Sequence, residues 1–486
     1  MWHEFIWTVN KMKKFPYRII LLLGITGMLT LSSCTGNNSQ STPQAPVTPS
    51  GVAVKLSADN TIVNAGGASK LSWSSSNATA CVASNNVGNS MWSGSKTASS
   101  VTSTQTLSNL VTSGDYKLSC SSGNVSNMQS VSIKIIPGGA NSLDNITPGQ
   151  WYEVPNSKMS SVDPCPVQPC SYSGNTGQFA VMGSWSGGVY DTKRDYLVVW
   201  GGGHADYAGN EIYVFDVPSL HWKMLTEPSA DVTPNVAHYA DGKPSSRHTN
   251  SSLVYDTKDD SMLVCGVSSV YGNGYALPDS DAYSFTAKSW TSLGVIPDSP
   301  NGSPQAIGDI AIYDAKNDRM WCHTVGGSGA LWEFNLTTKG WIMHEQSELS
   351  ITASALYDSK RHRMVAIGGY GIRQVIGWDL DHPDSAPISH TTTGAEGGRA
   401  LESIEGPGFD YDPVNDVYVG WNGGDIIYTL NPVSWVWTQV NPAVGNSVIP
   451  TAAVPAGTYG RFRYIPSKHA FIVVNSTTEN VYVLKR

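Results

Sequence analysis

A Tyr-Asp dipeptide returns at a near-constant interval through the C-terminal two thirds of the chain, and this periodicity limits the fold more than any other feature. Tyr190-Asp191, Tyr255-Asp256, Tyr313-Asp314, Tyr357-Asp358 and Tyr411-Asp412 each precede a short polar stretch, then an apolar run, then often Gly-Gly. A degenerate copy opens at Tyr464-Ile465-Pro466. The mean period is about 55 residues, long enough for one small antiparallel sheet per copy. A second half-motif follows most copies: Tyr213 and Phe215 then Trp222, Tyr283 and Phe285 then Trp290, Trp332 and Phe334 then Trp341, Tyr428 and Leu430 then Trp437. Residues i and i+2 share one face of a strand, so each pair faces a neighbouring sheet while the later Trp packs from the next strand. The fourth copy keeps Trp378-Asp379 and lacks that Trp.

The last copy stops at Val481-Tyr482-Val483-Leu484, one strand short, and the missing piece stands at the other end of the repeat region, in Trp151–Val154. That circular fit predicts a closed ring of six sheets with no exposed edge. Residues 156–180 are where a divergent seventh would lie. The Tyr-Asp and Gly-Gly pattern resembles kelch and galactose-oxidase-type β-propellers across residues 149–486. The expected fold class is therefore all-β: a small sandwich followed by a six-bladed, or seven-bladed, kelch-type propeller.

Ahead of the repeats, residues 1–33 combine Lys13, Lys14 and Arg18 with the apolar run Ile19–Leu31. Thirteen apolar residues are too few to span a bilayer but suit a secretory signal. Leu31-Ser32-Ser33-Cys34 resembles a bacterial lipobox, which implies lipidation of Cys34 and display at the outer membrane or cell surface. Residues 34–51 are uncharged and rich in Ser, Thr, Pro, Gln and Asn, and read as a tether reaching roughly 50 Å. Residues 52–136 alternate in the manner of short strands. The stretches around Trp73, Cys81, Trp92 and Cys120 resemble bacterial Ig-like domains, although Trp73 precedes both cysteines. Export favours a Cys81–Cys120 disulfide. A linker, residues 137–148, joins this module to the head.

Composition matters mainly for what it excludes. With 30 Lys+Arg against 38 Asp+Glu, a net charge of −8, there is no basic face for nucleic acid. A monomer is expected. Cys165 and Cys170 read as a local disulfide in the entry loop. Cys265 and Cys322 sit inside strands of adjacent repeats and read as buried small hydrophobes, or as a pair left reduced.

In four-stranded blades the turn after Tyr-Asp lies on one face, and the loops after Gly-Gly and between blades lie on the other, where binding residues are expected. Two stretches there carry chemistry beyond what the repeat needs. One is Gly201-Gly-Gly-His204-Ala-Asp206-Tyr207-Ala-Gly-Asn210-Glu211; the other is Arg247-His248-Thr249-Asn250, which enters an inner strand. At the position of His248 the other copies have Gly183, Ala306, Ser350, Ile404 and Gly457, so a titratable group stands there once. A looser set comprises His323, Tyr370, Arg373, Arg399, Glu402, Glu405, Tyr459, Arg461 and Arg463.

His204, Tyr207, Arg247 and His248 are the candidate catalytic residues. Asp206, Asn210, Asn250, Tyr271, Tyr370 and Arg373 are the candidate substrate-binding residues. A secreted His/Tyr/Arg set resembles propeller lyases that cut uronate polysaccharides by β-elimination. That resemblance implies His248 as base, Arg247 as neutraliser of the carboxylate, and Tyr207 or His204 as acid. Two alternatives stand beside it: a non-catalytic propeller that binds a glycan or a surface protein, and a copper-radical oxidase requiring a Cys–Tyr crosslink. No zinc or EF-type calcium spacing is present and no cofactor is expected, Asp206, Asn210 and Glu211 being the one place for a structural cation.

Overall fold

The computed structural model describes residues 51–64, 66–136, 143–165, 169–266, 268–297, 309–325 and 329–486. Cys34, the signal segment and most of the tether lie outside the described residues. The chain is an all-β propeller preceded by a two-sheet sandwich. One sandwich sheet joins Ala53–Ala58, Gly67–Ser76 and Ser103–Leu110. The other joins Ile62–Asn64, Val125–Ile136, Gly114–Ser122, Ala80–Asn85 and Gly94–Lys96. Trp73 and Trp92 meet edge to face, with centroids 5.3 Å apart, inside the core. Cys81 and Cys120 are disulfide-bonded, as expected, but as direct partners on neighbouring strands of one sheet.

Among the described residues six sheets of four or five strands form the ring of the head, here called blades 1 to 6 in chain order, and a two-stranded sheet, Ser268–Ser269 with Ala276–Leu277, is added to it. Their inner strands are Gly188–Asp191, Leu253–Asp256, Ile310–Asp314, Ser354–Asp358, Gly408–Asp412 and Phe462–Ile465. Each packs on the next, and the sixth packs on the first, so the ring is closed. Blade 6 consists of Phe462–Ile465, Ala470–Val473, Tyr482–Lys485 and, as its outer strand, Trp151–Glu153. Leu484 pairs with Trp151 and Tyr482 with Glu153, so the two ends of the repeat region share one sheet. Residues 156–180 hold short 3₁₀ turns at Met159–Val162 and Gly177–Phe179 and, among their described residues, no strand, which leaves no seventh blade there. Blade 4, whose repeat lacks the late Trp, has an outer strand of two residues, Ile388–Ser389.

The Tyr-Asp signature has a local cause. Asp191, Asp256, Asp314, Asp358 and Asp412 are fully buried. Each accepts two backbone N–H groups from the turn that follows, as Asp191 does from Lys193 at 2.9 Å and Arg194 at 3.1 Å. A carboxylate used in this way fixes a tight turn without further protein. The residue five after each Tyr adopts a left-handed backbone: Asp195, Asp260, Asp318, His362, Asp416 and His469. Where it is Asp, the Tyr hydroxyl donates to it. Arg194 reaches from blade 1 to Asp260 of blade 2 at 2.6 and 2.7 Å, and Arg361 reaches from blade 4 to Asp416 of blade 5 at 2.7 Å. The arginines hold both carboxyls well below the usual range.

The cysteines of blades 2 and 3 correct the sequence reading. Cys265 and Cys322 are disulfide-bonded, not reduced. Both are fully buried, with Cα atoms 6.3 Å apart: Cys265 directly follows Ser261–Val264, the second strand of blade 2, and Cys322 lies within Arg319–His323, the second strand of blade 3. Cys165 and Cys170 are also joined.

The two ends of the central channel differ. On the turn face a cavity of about 340 Å³ is lined by Val189, Val254, Ile312, Leu356, Asp410 and Arg463, among others. On the loop face hydrogen bonds run between the segments that enter the inner strands. Asn250 donates to the Tyr459 hydroxyl at 3.1 Å, Tyr459 N–H to Gly406 at 2.9 Å, and Gly406 N–H to Thr352 at 2.8 Å. With Asn250, Thr352 and Tyr459 buried, that mouth is stoppered.

Candidate functional site: a histidine and aspartate cluster at the junction of blades 1 and 2

Three pieces of chain converge at this junction. The loop after Tyr196–Val199 carries His204 and Asp206; the entry to Leu253–Asp256 carries His248; a hairpin, residues 268–277, lies against both. His204 N–H donates to Val270 at 3.1 Å, His248 N–H to Ser269 at 3.1 Å, and Gly272 N–H to the His204 carbonyl at 2.7 Å. Gly203, at φ +82°, is where the three meet: a Cβ there would stand 2.5 Å from both the Arg247 Cα and the Ser269 carbonyl oxygen. No residue with a side chain fits.

His204 is exposed, Asp206 half-buried and His248 buried, at 5 % exposure. The His248 Nε2 lies 3.7 Å from an Asp206 oxygen, outside hydrogen-bond range, and has no hydrogen-bond partner. The two imidazole rings are nearly perpendicular, with centroids 6.0 Å apart. Burial pushes the His248 imidazole below its ordinary value, which favours the neutral ring with a free lone pair.

Backbone strain collects here as well. His204, Trp185 and Asn250 have φ values of +46°, +47° and +41°, a region costly for residues with a Cβ. The Trp185 ring lies 5.2 Å from that of His248. Sequence reasoning passes over Trp185, since Gly-Ser-Trp-Ser carries no chemical signature. Its one available signal is positional: it stands three residues before an inner strand, as Asn250 does.

The other expected site residues are placed elsewhere. Tyr207 is fully buried, and its hydroxyl donates to Glu211 at 2.6 Å, beside Tyr213, which donates to the same oxygen at 2.5 Å. Burial raises the Tyr207 phenol well above its ordinary value, so it is a core residue rather than an acid for a substrate. Arg247 is 0 % exposed, and its guanidinium donates to the carbonyls of Ser245, Ala237 and Asp279 at 3.3, 3.0 and 2.9 Å. It braces the blade junction and has no face for a substrate carboxylate. Asn210 is engaged with Ser229 and Pro244, and Glu211 with the two tyrosines, so the expected Asp206/Asn210/Glu211 cation set does not assemble.

Asn250 sits in the stopper, where its Oδ1 is buried without a partner. Tyr271 and Tyr275 belong to the hairpin beside His204. Tyr370 and Arg373 stand on the blade 4 loop, Tyr370 at 66 % exposure and Arg373 paired with Glu396 at 3.4 Å. The looser set disperses too: His323 is buried against Trp378, Glu402 accepts from the Trp437 indole at 2.7 Å, and Arg463 faces Asp410 in the opposite cavity. What the fold brings together is His204, Asp206 and His248, walled by Trp185 and the hairpin.

No family model matches the chain, and no curated protein matches it. Solved structures to which the chain is similar include a structural-genomics protein of unknown function from Bacteroides thetaiotaomicron, 12% identical over 90% of this chain and 98% of that one, at a TM-score of 0.41. YCF48 bound to D1 peptide is 10% identical over 66% of this chain and 96% of that one, at 0.34. A chain of the mitotic checkpoint complex is 10% identical over 70% and 92%, at 0.37. At such identities and scores these likenesses say nothing of ligand or activity.

Proposed function

We propose that this chain is a lipid-anchored propeller, displayed on the bacterial surface, that binds an acidic, uronate-containing glycan at the junction of blades 1 and 2. The observation that carries the reading is the His204–Asp206–His248 cluster. A buried imidazole nitrogen without a partner there faces a half-exposed carboxylate and an exposed histidine, next to a hairpin bearing Tyr271 and the 39 % exposed Tyr275. Polar groups fixed by a rigid scaffold, with aromatic faces beside them, suit sugar rings and their hydroxyls. The anchor rests on Cys34 in its lipobox-like setting and on the uncharged tether behind it.

Binding is preferred to β-elimination because Tyr207 and Arg247 are both engaged within the protein, which leaves His204 and His248 of the lyase set free and no arginine of that set to neutralise a substrate carboxylate. The oxidase reading loses its thiol, since every described cysteine is in a disulfide. The test is a panel of uronate polymers offered to the full chain in detergent. Saturable binding that His248→Ala abolishes, with no new ultraviolet absorbance, is the expected result. Absorbance from an unsaturated sugar would restore the lyase, and no binding to any polymer would overturn the glycan reading.

A further inference from the structure

We propose that His204, Asp206 and His248 together form a binding site for one divalent transition-metal ion of the zinc class. Their ligand atoms all lie within 4.8 Å of one another. Two ligands on a tetrahedral zinc ion stand about 3.3 Å apart. The 3.7 Å between His248 Nε2 and Asp206 is therefore close to the bound spacing, and the exposed His204 offers its ligand nitrogen within 4.8 Å of both.

The second observation is the orphaned nitrogen. A buried polar atom without a partner costs on the order of 1–3 kcal/mol, and His248 Nε2 is such an atom, directed toward the Asp206 carboxylate. An ion between them satisfies both groups at once. Two imidazoles and one carboxylate select zinc, cobalt or nickel over calcium or magnesium, which prefer all-oxygen shells. The backbone is set up for the purpose: the hairpin holds His204 and His248 by main-chain hydrogen bonds, and His204 is kept in a left-handed conformation that nothing in the repeat requires.

With three protein ligands and an exposed side, the ion keeps an open coordination position. One carboxylate against a dication leaves a local positive charge on a chain of net charge −8. That open position would take a uronate carboxylate, the duty for which Arg247 is unavailable; this last step rests on the glycan reading above, and the metal site does not.

The experiment treats full-length protein in detergent with a chelator, then titrates it with Zn²⁺ by calorimetry and with Co²⁺ by visible absorption. One equivalent should bind, Co²⁺ giving ligand-field bands. His248→Ala should weaken the affinity more than about tenfold, and so should His204→Gly, a change at an exposed position that leaves the fold intact; the surface variant His382→Gln should match wild type. Failure to bind either ion, or binding that survives both site substitutions, would overturn the site. Polygalacturonate is then offered to the metal-free and Zn²⁺-loaded protein. Binding only when loaded supports the carboxylate step, and equal binding by both overturns it. Zn²⁺ uptake with no polymer bound in either state leaves the metal site standing while the glycan reading falls.

Discussion

His323 is fully buried, with its Nε2 3.0 Å from the Ser347 hydroxyl and its Nδ1 without a partner. Burial pushes its imidazole down to about 4. Between that value and the unfolded pKa of ~6.5, the unfolded chain binds the extra proton and the folded chain does not. Stability is therefore whole above pH 6.5 and falls as the pH drops toward 4, at about 1.4 kcal/mol per unit, or roughly 3 kcal/mol in all. His323→Gln keeps a hydrogen-bonding group for Ser347 and removes the titration. Denaturant unfolding at pH 7 and pH 4.5 should show a smaller acid loss in the variant than in wild type; equal losses would contradict this account. At the functional site strain and chemistry coincide. His204→Gly should raise stability by about 1 kcal/mol, because the left-handed backbone costs glycine nothing, while ligand binding is lost. A destabilised His204→Gly would show that the conformation is not strained.

At the scale of strands and loops, the disulfide between Cys265 and Cys322 joins the second strands of blades 2 and 3. Under non-reducing conditions neither thiol should react with an alkylating reagent in unfolded protein, and the paired peptide should appear by mass spectrometry. The Cys322→Ser variant should lose about 2–5 kcal/mol. Free thiols at both positions would contradict the pairing. Sequence logic put these cysteines in adjacent strands but could not bring them together, because the pitch between neighbouring blades is absent from the one-dimensional pattern. The same limit explains Arg247 and Tyr207. Their residue types suit an active site, and only the packing of the Ser245–Ala237–Asp279 carbonyls and of Glu211 shows that both are held inside. By contrast Tyr-Asp was legible from the start, since its buried carboxylate acts on its own turn two and three residues ahead.

For the whole molecule, the ring closes where Trp151–Glu153 completes blade 6. The Trp151 indole is 4 % exposed and donates to the Asp425 carbonyl at 2.9 Å. Trp151→Ala should cost about 3–5 kcal/mol, and deletion of residues 149–155 should lower the melting temperature of the entire head in one transition. An unchanged melting temperature would mean the closing strand is dispensable. Closure was readable because a missing strand at one end matched a spare strand at the other. Which loop-face residues gather was only half readable: His204 and His248 stood out by type, and His248 by its uniqueness among the repeats, but their meeting depends on the hairpin at 268–277, which has no counterpart in the pattern. The most direct test of the central claim is a structure of the full chain crystallised with Zn²⁺ and an oligogalacturonate. An ion between His204, Asp206 and His248, with the sugar against Tyr271 and Tyr275, is the expected result. An oligosaccharide seated instead in the turn-face cavity by Asp410 and Arg463, with the histidines empty, would contradict it.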